Sequence, residues 1–169
     1  GLSTLTAAYA VWMTMFRKDK QVLIIATKLA VAQNFIKKVK IALSGIPKWM
    51  WITEITAKNT QAIEFSNGSV IKAIPTSEDA GRSEALSLLI VDEAAFIRNF
   101  DELWKGLYPT LSTGGRAIVV STPNGTGGQY YDLWHQAAAG TNEFNPVKLP
   151  WDVHPERDDE WFNKECLNM

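Results

Sequence analysis

Several stretches of the chain are apolar at every position, which is the pattern of strands buried on both faces of a sheet, and two of them stand out. Residues 88–91 read Leu-Leu-Ile-Val, and residues 117–120 read Ala-Ile-Val-Val. Polar residues follow each run at once: Asp92 and Glu93 follow the first, and Ser-Thr-Pro-Asn-Gly at 121–125 follows the second. Because ligands of open α/β sheets bind at the carboxyl ends of the strands, these polar residues are the first candidates for a functional site.

The rest of the chain alternates helical and extended patterns, which predicts an α/β fold with a mostly parallel sheet flanked by helices. The chain opens into an apolar helix, and residues 29–43 keep helical spacing until Gly45 and Pro47 end the second helix. Residues 63–74 predict a β-hairpin that turns at Asn-Gly. The other predicted elements are strands at 21–27, 116–121 and 147–149 and helices at 101–111, at 129–139 and from about Pro155, with this proline in the first turn.

Composition limits the class of protein. A chain of 169 residues that is 46% hydrophobic and holds seven Trp can bury a core and fits one domain. The net charge of −1 gives no overall basic field, so any contact with DNA must be local. Cys166 is the only cysteine, which excludes an internal disulfide and suits a reducing cytosol. The apolar residues 5–16 are too few for a membrane span.

The polar residues at the strand ends have the chemistry of nucleotide hydrolysis. In P-loop NTPases an acid at the end of such a strand holds Mg²⁺ on the phosphates, and an adjacent acid can orient or deprotonate the attacking water. Asp92 and Glu93 fit these two roles, and the alternative is an exposed acidic pair that opens a loop. Ser121 and Thr122 can sense a γ-phosphate or the water by hydrogen bonding, and their alternative role is to cap the following turn.

Three segments resemble the ATPase domain of the large terminase subunit, the DNA-packaging motor of tailed bacteriophages. They are residues 89–97, residues 121–125 and the Tyr-Tyr-Asp-Leu-Trp sequence at 130–134, at spacings that the family shows. The resemblance covers nearly the whole chain. It implies a P-loop NTPase fold of the RecA/ASCE-like type with a β-hairpin insertion, in which Mg²⁺-dependent hydrolysis of ATP drives double-stranded DNA into the prohead.

The resemblance also implies roles for individual residues. Asp92 and Ser3 hold Mg²⁺, and Glu93 activates the attacking water. Losing the γ-phosphate removes a hydrogen-bond partner from the residues after 120, so that the following segment shifts. The residues assigned to the nucleotide and to this response are Gly1, Ser3, Thr4, Ser121, Thr122 and Asn124.

Residues 1–4, Gly-Leu-Ser-Thr, resemble the end of a phosphate-binding loop that enters its helix. Such a loop carries Lys before its hydroxyl residue, and Leu2 stands at that position. The cation comes from a missing upstream segment or from another subunit, or the site binds nucleotide weakly. A strand normally precedes the loop, so we expect a fragment that lacks this strand and that self-associates or is less stable. The alternative role of Ser3 is a plain N-cap.

Arg82 lies in the sequence Asp-Ala-Gly-Arg-Ser shortly before the first apolar run. It resembles the arginine-containing loop at this place in terminases, where a cation can stabilise charge that develops during phosphoryl transfer. A finger supplied by a neighbouring subunit is worth roughly 10³–10⁵ in rate in other NTPases. The alternative is a solvated arginine paired with Glu78 or Glu84.

The resemblance fixes the expected organisation and partners. Residues 1–169 are expected to be one ATPase-domain fragment, with a core at about 1–140, a C-terminal segment at about 141–169 and no nuclease domain. The expected partners are double-stranded DNA, the portal protein, the small terminase subunit and further copies in a ring, in the host cytoplasm. Two alternatives stay open: a helicase-like DNA translocase, and a non-hydrolytic nucleotide- or DNA-binding assembly module.

The remaining polar and aromatic candidates have simpler interpretations. His135 and His154 lack the partner spacing of a zinc site. The Lys-Lys-Val-Lys run at 37–40 is expected to be a solvated helix face, with DNA phosphates as the alternative. The Trp-Met-Trp sequence at 49–51 is expected to pack in the core rather than to stack on nucleic-acid bases.

Overall fold

A computed structural model of the chain describes residues 1–76 and 85–168. The chain forms two compact units, Gly1–Tyr131 and Asp132–Met169. The first unit holds a six-stranded sheet and the second is helical and irregular. Within the described residues, no helix is both long and apolar enough to cross a lipid bilayer.

The sheet is mostly parallel and has the strand order β2-β3-β4-β1-β5-β6. Strand β1 pairs in parallel with β4 and β5, and β5 pairs in parallel with β6. Strands β2 and β3 add an antiparallel extension beyond β4. The strands are β1 (Gln21–Ala26), β2 (Ile55–Lys58), β3 (Ala62–Phe65), β4 (Val70–Pro75), β5 (Leu88–Asp92) and β6 (Arg116–Val120). The predicted mostly parallel α/β fold is therefore confirmed.

Helices α1 (Leu2–Phe16) and α2 (Leu29–Ser44) pack against each other and against the sheet. Alanines at 7, 10 and 32 let the helices approach closely, while Phe35 and Ile36 fill the space over β1 and β4. Every residue of β5 is buried, as its unbroken apolar pattern predicts. The core thus lies between the central strands and this helical layer, and it fixes where the ends of β5 and α1 fall.

The predicted hairpin is confirmed, and its strands belong to the main sheet. It joins β3 to β4, with Gly68 at a φ of +81° in the turn. The Asn67 side chain donates hydrogen bonds to the carbonyl oxygens of Thr14 at 2.8 Å and Arg17 at 3.1 Å. The turn therefore also caps the end of α1. Strand β2, the partner of β3, is short and almost fully exposed, and no apolar pattern predicted it.

The remaining helices are α3 (Phe100–Leu107), α4 (Gln129–Ala138) and α5 (Asp159–Asn168). Single 3-10 turns occur at Lys48–Met50, Ala94–Phe96, Tyr108–Leu111 and Trp151–Val153. Helix α4 crosses the boundary between the two units. In the second unit, the Trp151 ring stacks on Phe162 with ring centroids 4.6 Å apart.

Two predictions for the second unit are wrong. Residues 147–149 form no strand, because Pro146 and Pro150 lack N–H donors and Val147 and Leu149 remain exposed. The last helix begins at Asp159, so Pro155 precedes it rather than standing in its first turn. The Asp158 carboxylate accepts a hydrogen bond from the Trp161 backbone N–H at 2.8 Å, which makes Asp158 the N-cap.

Gly115 offers a test of the packing that positions β6. A Cβ at this position would overlap the Leu86 carbonyl oxygen and lie 2.9 Å from Leu111 Cδ2. Gly115→Ala should therefore lower the free energy of unfolding by roughly 1–3 kcal/mol, the usual range for overpacking. Gly127→Ala is the matched control, because no heavy atom lies within 4 Å of its Cβ position. Denaturant unfolding should place the control within about 0.5 kcal/mol of the parent, and equal losses in both variants would contradict the packing argument.

Candidate active site

The parallel strands end together at one edge of the sheet. The register places Ile25 of β1 beside Val91, and Asp92 of β5 beside Val120 of β6. Glu93 and Ser121 are the next residues of their chains, so they leave the sheet at the same edge. The structure thus brings together the acids and the hydroxyl that the sequence pattern indicated.

The amino end of α1 reaches the same edge. The Ser3 hydroxyl donates a hydrogen bond of 3.1 Å to Oδ1 of Asp92, although 89 residues separate the two in sequence. Asp92 is only 5% exposed. Gly1 caps the helix, and its carbonyl oxygen accepts the Thr4 backbone N–H at 3.0 Å. The free N–H groups and positive dipole end of α1 are therefore close to the Asp92 carboxylate, which is the arrangement that suits a phosphate and its cation.

Ser3 and Asp92 form the core of a possible Mg²⁺ site. Both present oxygen atoms, the ligand type that Mg²⁺ prefers, and Mg²⁺ usually takes one or two protein oxygens with the rest from water and phosphates. In the described part of the chain, no group of three or more His, Cys, Asp or Glu side chains could hold a metal by itself. The donor set therefore fits a cation that arrives with a nucleotide.

Leu2 and Thr4 lie in the first turn of α1, at the same edge of the sheet. The Leu2 side chain is 39% exposed and supplies no charge at the place of the usual lysine. Thr4 is exposed, and among the described residues only its backbone is hydrogen-bonded. Arg82, with its possible partners Glu78 and Glu84, lies outside the described residues. Its segment follows Thr76, whose N–H donates to the Ala26 carbonyl oxygen at this same edge.

Glu93 starts a strained turn. Its backbone has φ 55° and ψ 44°, a left-handed conformation that costs a residue other than glycine roughly 1–3 kcal/mol. Its carbonyl oxygen accepts the Phe96 N–H at 3.0 Å, which closes the turn. This conformation makes the chain turn sharply after β5. The turn therefore begins at the residue that directly follows Asp92.

Two side chains that follow β6 hold this turn. Ser121 Oγ accepts the Ala95 backbone N–H at 3.1 Å, and Asn124 Nδ2 donates to the Ala95 carbonyl oxygen at 3.1 Å. The sequence predicted Ser121 and Asn124 as γ-phosphate sensors, and no pattern indicated that both would bind Ala95. Thr122 is exposed and makes no hydrogen bond with the part of the chain that the structure describes.

Tyr130 lies next to the site, and the sequence did not single it out as a candidate. Its hydroxyl donates to the Ser121 carbonyl oxygen at 3.3 Å. Burial raises the pKa of the Tyr130 hydroxyl above its usual value, and the nearby Glu93 carboxylate raises that pKa further. The phenol is thus neutral and acts as a hydrogen-bond donor at the junction of the two strand ends. Its only signal in the sequence was its place in the Tyr-Tyr-Asp-Leu-Trp pattern.

The mostly parallel sheet flanked by helices, with polar groups at its carboxyl edge, defines a mixed α/β domain. A model of the terminase large subunit, T4likevirus-type, N-terminal part, matches residues 1–165. The chain therefore belongs to the large terminase family, as its strand-end motifs predicted.

Solved large terminases share the fold. A point variant of the large terminase ATPase domain of Thermus phage P74-26 is 23% identical and has a TM-score of 0.70, covering 100% of this chain and 79% of that one. The bacteriophage HK97 large terminase is 16% identical with a TM-score of 0.70, covering 94% of this chain and 34% of that one. A large terminase of a thermophilic bacteriophage in complex with ADP is 9% identical with a TM-score of 0.69, covering 98% and 41%. At these identities the likeness establishes the fold.

The hydrogen bonds to Ala95 can be tested by unfolding. Ser121→Ala leaves the Ala95 N–H without its acceptor and should cost about 1–2 kcal/mol in the free energy of unfolding. Asn124→Ala should cost less because Asn124 is exposed. Since both side chains bind one peptide segment, the double variant should show a coupling energy of at least about 0.5 kcal/mol. Thr122→Ala is the control and should stay within about 0.5 kcal/mol of the parent. Additive losses, or an equal loss for the control, would count against this arrangement.

Proposed function

We propose that this chain is the ATP-hydrolysing domain of a motor that packages double-stranded DNA into a phage prohead. The observation that carries the proposal is the Ser3 hydroxyl on the Asp92 carboxylate, with Glu93 as the next residue. A helix start, a buried strand-end acid and an adjacent acid are the parts that Mg·ATP hydrolysis requires. Membership of the large terminase family supports the choice of substrate.

The residues divide the chemistry between binding and water activation. Ser3 and Asp92 would hold Mg²⁺, which when bound neutralises phosphate charge. The free N–H groups at the start of α1, before Thr4, would donate hydrogen bonds to the phosphate oxygens, and Thr4 would contribute its side-chain hydroxyl. Glu93 would accept a proton from the attacking water or orient it, because it directly follows the metal-binding acid on a turn that leaves the sheet.

The turn at Glu93 supplies a route from the nucleotide to movement. Ser121 and Asn124 hold Ala95, so a displacement of Glu93 on loss of the γ-phosphate changes the hydrogen bonds of the segment after β6. Thr122, which is exposed next to Ser121, is free to take up the phosphate contact itself. This segment leads into α4, so its shift is the mechanical output of the domain.

The missing lysine leaves a requirement for another cation. Leu2 cannot balance the phosphate charge, and α1 has no basic side chain. We assign this role to Arg82 of a neighbouring copy, which acts as a finger across the interface of a ring. In sequence, the segment at 77–84 comes shortly after the end of β4, where Pro75 pairs with Ala26 at the active-site edge.

The proposed partners follow from membership of the family. They are double-stranded DNA, the portal protein, the small terminase subunit and further copies of the chain, and the place of action is the host cytoplasm. A second candidate, favoured by the exposed Leu2, is a nucleotide-binding assembly module without hydrolysis. Turnover measurements separate it from the motor.

The two acids should fail in different ways when substituted. In the intact subunit, Glu93→Gln should keep Mg·ATP affinity but lose about 10²-fold or more in turnover, the usual contribution of a general base. Asp92→Asn should weaken Mg²⁺-dependent ATP binding roughly tenfold or more, because a charged ligand becomes neutral.

Isothermal titration and steady-state ATPase assays measure the two effects. Glu102→Gln, an exposed acid on α3, is the control and should match the parent in both assays. Parent-like turnover in both site variants would remove the catalytic assignment, and absence of turnover in the parent with intact binding would favour the assembly module.

If Arg82 acts on the nucleotide of a neighbouring copy, the rate of ATP hydrolysis should depend on assembly of the subunits. Hydrolysis should rise more than linearly with protein concentration, because the arginine is useful only where a neighbour presents a nucleotide. Arg82→Ala should abolish this rise and leave binding to the isolated subunit nearly unchanged. Arg82→Lys should rescue poorly, since an ammonium cannot make the planar two-donor contact with phosphate oxygens.

Mixing the variants decides between a cis and a trans arginine. An Arg82→Ala chain combined with a Glu93→Gln chain should recover activity, because one type of junction then has an intact base and an intact finger. Native mass spectrometry should verify that both chains share one assembly. No recovery in such mixed assemblies would mean that Arg82 acts within its own chain.

A further inference from the structure

Positive charge is concentrated in one continuous part of this slightly acidic chain. Residues 20–53 contain six lysines and no Asp or Glu. The whole chain holds 17 Lys and Arg against 18 Asp and Glu, so the rest of it has 11 basic residues against all 18 acids. The six lysines are Lys20, Lys28, Lys37, Lys38, Lys40 and Lys48. A segment so uneven in charge attracts an anionic partner while the chain as a whole does not.

Three of these lysines lie on α2: Lys37 is exposed, and Lys38 and Lys40 are half-buried at the sides of the packed face. The buried residues of α2, such as Ala32, Ile36 and Val39, face the sheet and α1, and Lys37 projects from the opposite side. Lys40 donates from Nζ to the Asn59 carbonyl oxygen at 2.7 Å, and Lys37 donates to Asn34 Oδ1 at 3.3 Å. Among residues 1–76 and 85–168, no carboxylate forms an ion pair with any of the lysines at 37, 38, 40 and 48. Lys37 and Lys48 are moreover exposed, so their ammonium groups can contact an anionic partner.

The turn that follows α2 presents a tryptophan beside this charge. Trp51 is the anchor: it packs against the core, its Nε1 donates to the Ile46 carbonyl oxygen at 3.0 Å, and the Lys48 ammonium lies 4.6 Å from its ring centre. Trp49 is 83% exposed. The expectation of core packing is therefore right for Trp51 and wrong for Trp49. Lys48 follows the helix cap Gly45 by three residues, so at most about 11 Å of chain separates them.

We infer that the outer face of α2 and this turn form a contact surface for the phosphate backbone of duplex DNA. The lysine–tryptophan surface consists of Lys37, Lys38, Lys40, Lys48 and Trp49. Lysines are point charges that bind phosphates without reading sequence, as a translocating motor requires. The choice of DNA among polyanions rests on the proposed packaging function.

The geometry favours a duplex over a single strand. Binding of single strands uses successive open aromatic rings on which bases stack. Here Trp51 is covered by Lys48 and by the core, so the turn offers only the ring of Trp49. The lysine–tryptophan surface has one open aromatic ring and four ammonium groups. This composition suits contact with the sugars and phosphates of a DNA backbone, and the lysines would supply most of the affinity.

Salt dependence tests this surface directly. The binding of a 30-base-pair duplex of arbitrary sequence to the chain is measured by fluorescence anisotropy, without nucleotide, at several salt concentrations. The test variant is the triple substitution Lys37→Gln, Lys38→Gln and Lys48→Gln, which leaves the Lys40 hydrogen bond intact. Each lost phosphate contact should reduce the slope of log K against log salt by about 0.9, so the slope should fall by about 2.7.

A second triple variant controls for net charge. Lys105→Gln, Lys148→Gln and Lys164→Gln remove the same charge from other parts of the chain and should leave the slope within about one contact of the parent. Trp49→Ala should lower affinity several-fold without changing the slope. Parent-like circular dichroism in each variant verifies folding, which the exposure of these side chains favours.

Each alternative outcome overturns the inference. Equal loss of slope in both triple variants would mean that only net charge matters. Binding to a single strand of equal phosphate number as tightly as to the duplex would remove the duplex assignment. A test variant that binds DNA normally but loses the portal protein or the small subunit would make this face a protein interface. The ATPase rate without DNA should be unchanged in the test variant, so failure of the proposed hydrolysis would appear separately in the Glu93 experiments.

Discussion

The hydrogen bond between Ser3 and Asp92 is the interaction on which the site depends. A buried carboxylate needs a polar partner, because leaving it without one is costly. The Ser3 hydroxyl meets that need, and it can do so only if the first turn of α1 reaches the end of β5. The small side chains of Ala7 and Ala10 allow this approach over the sheet. The same proximity that stabilises Asp92 therefore places the start of α1 where a nucleotide phosphate can be held.

The strained turn after Asp92 is stabilised by hydrogen bonds whose free energies are similar in size to the cost of its backbone conformation. The left-handed conformation of Glu93 costs roughly 1–3 kcal/mol. The two hydrogen bonds to Ala95 contribute about 0.5–1.5 kcal/mol each. Together with the hydrogen bond from Phe96 N–H to the Glu93 carbonyl oxygen, these contacts offset the cost, so losing Ser121 or Asn124 weakens the turn. In the proposed motor, this turn would be the element that responds to a γ-phosphate.

The chain's local patterns predicted the sheet better than its site. Unbroken apolar runs identified β1, β5 and β6, and Asn67-Gly68 identified the hairpin, because burial on both faces and turn chemistry act over a few residues. Strand β2 was not predicted, because it is almost fully exposed and therefore has no apolar pattern. The start of the last helix was placed too early, at Pro155, because the residue that caps it is Asp158. At the site, the sequence indicated Asp92, Ser3 and Ser121, but it did not indicate the contacts that Ser121 makes with Ala95 and Tyr130. Contacts such as Tyr130 with Ser121 arise only when separate segments fold together.

Because charge is distributed unevenly along the chain, two anionic ligands, ATP and DNA, would bind at different places on the protein. ATP and DNA both present phosphates, so a uniformly basic chain would draw DNA into the nucleotide site. Here the lysines at 37, 38, 40 and 48 are on the outer face of α2 and the turn after it, while Asp92 and Glu93 end β5. Salt screens exposed charges over a Debye length of about 8 Å at physiological ionic strength, so the lysines act mainly on a partner that contacts α2 and the turn. In the proposed motor, the acids at the nucleotide site would repel bare phosphate and admit phosphates that arrive with their own Mg²⁺. A DNA backbone would then be attracted to the lysine–tryptophan surface instead.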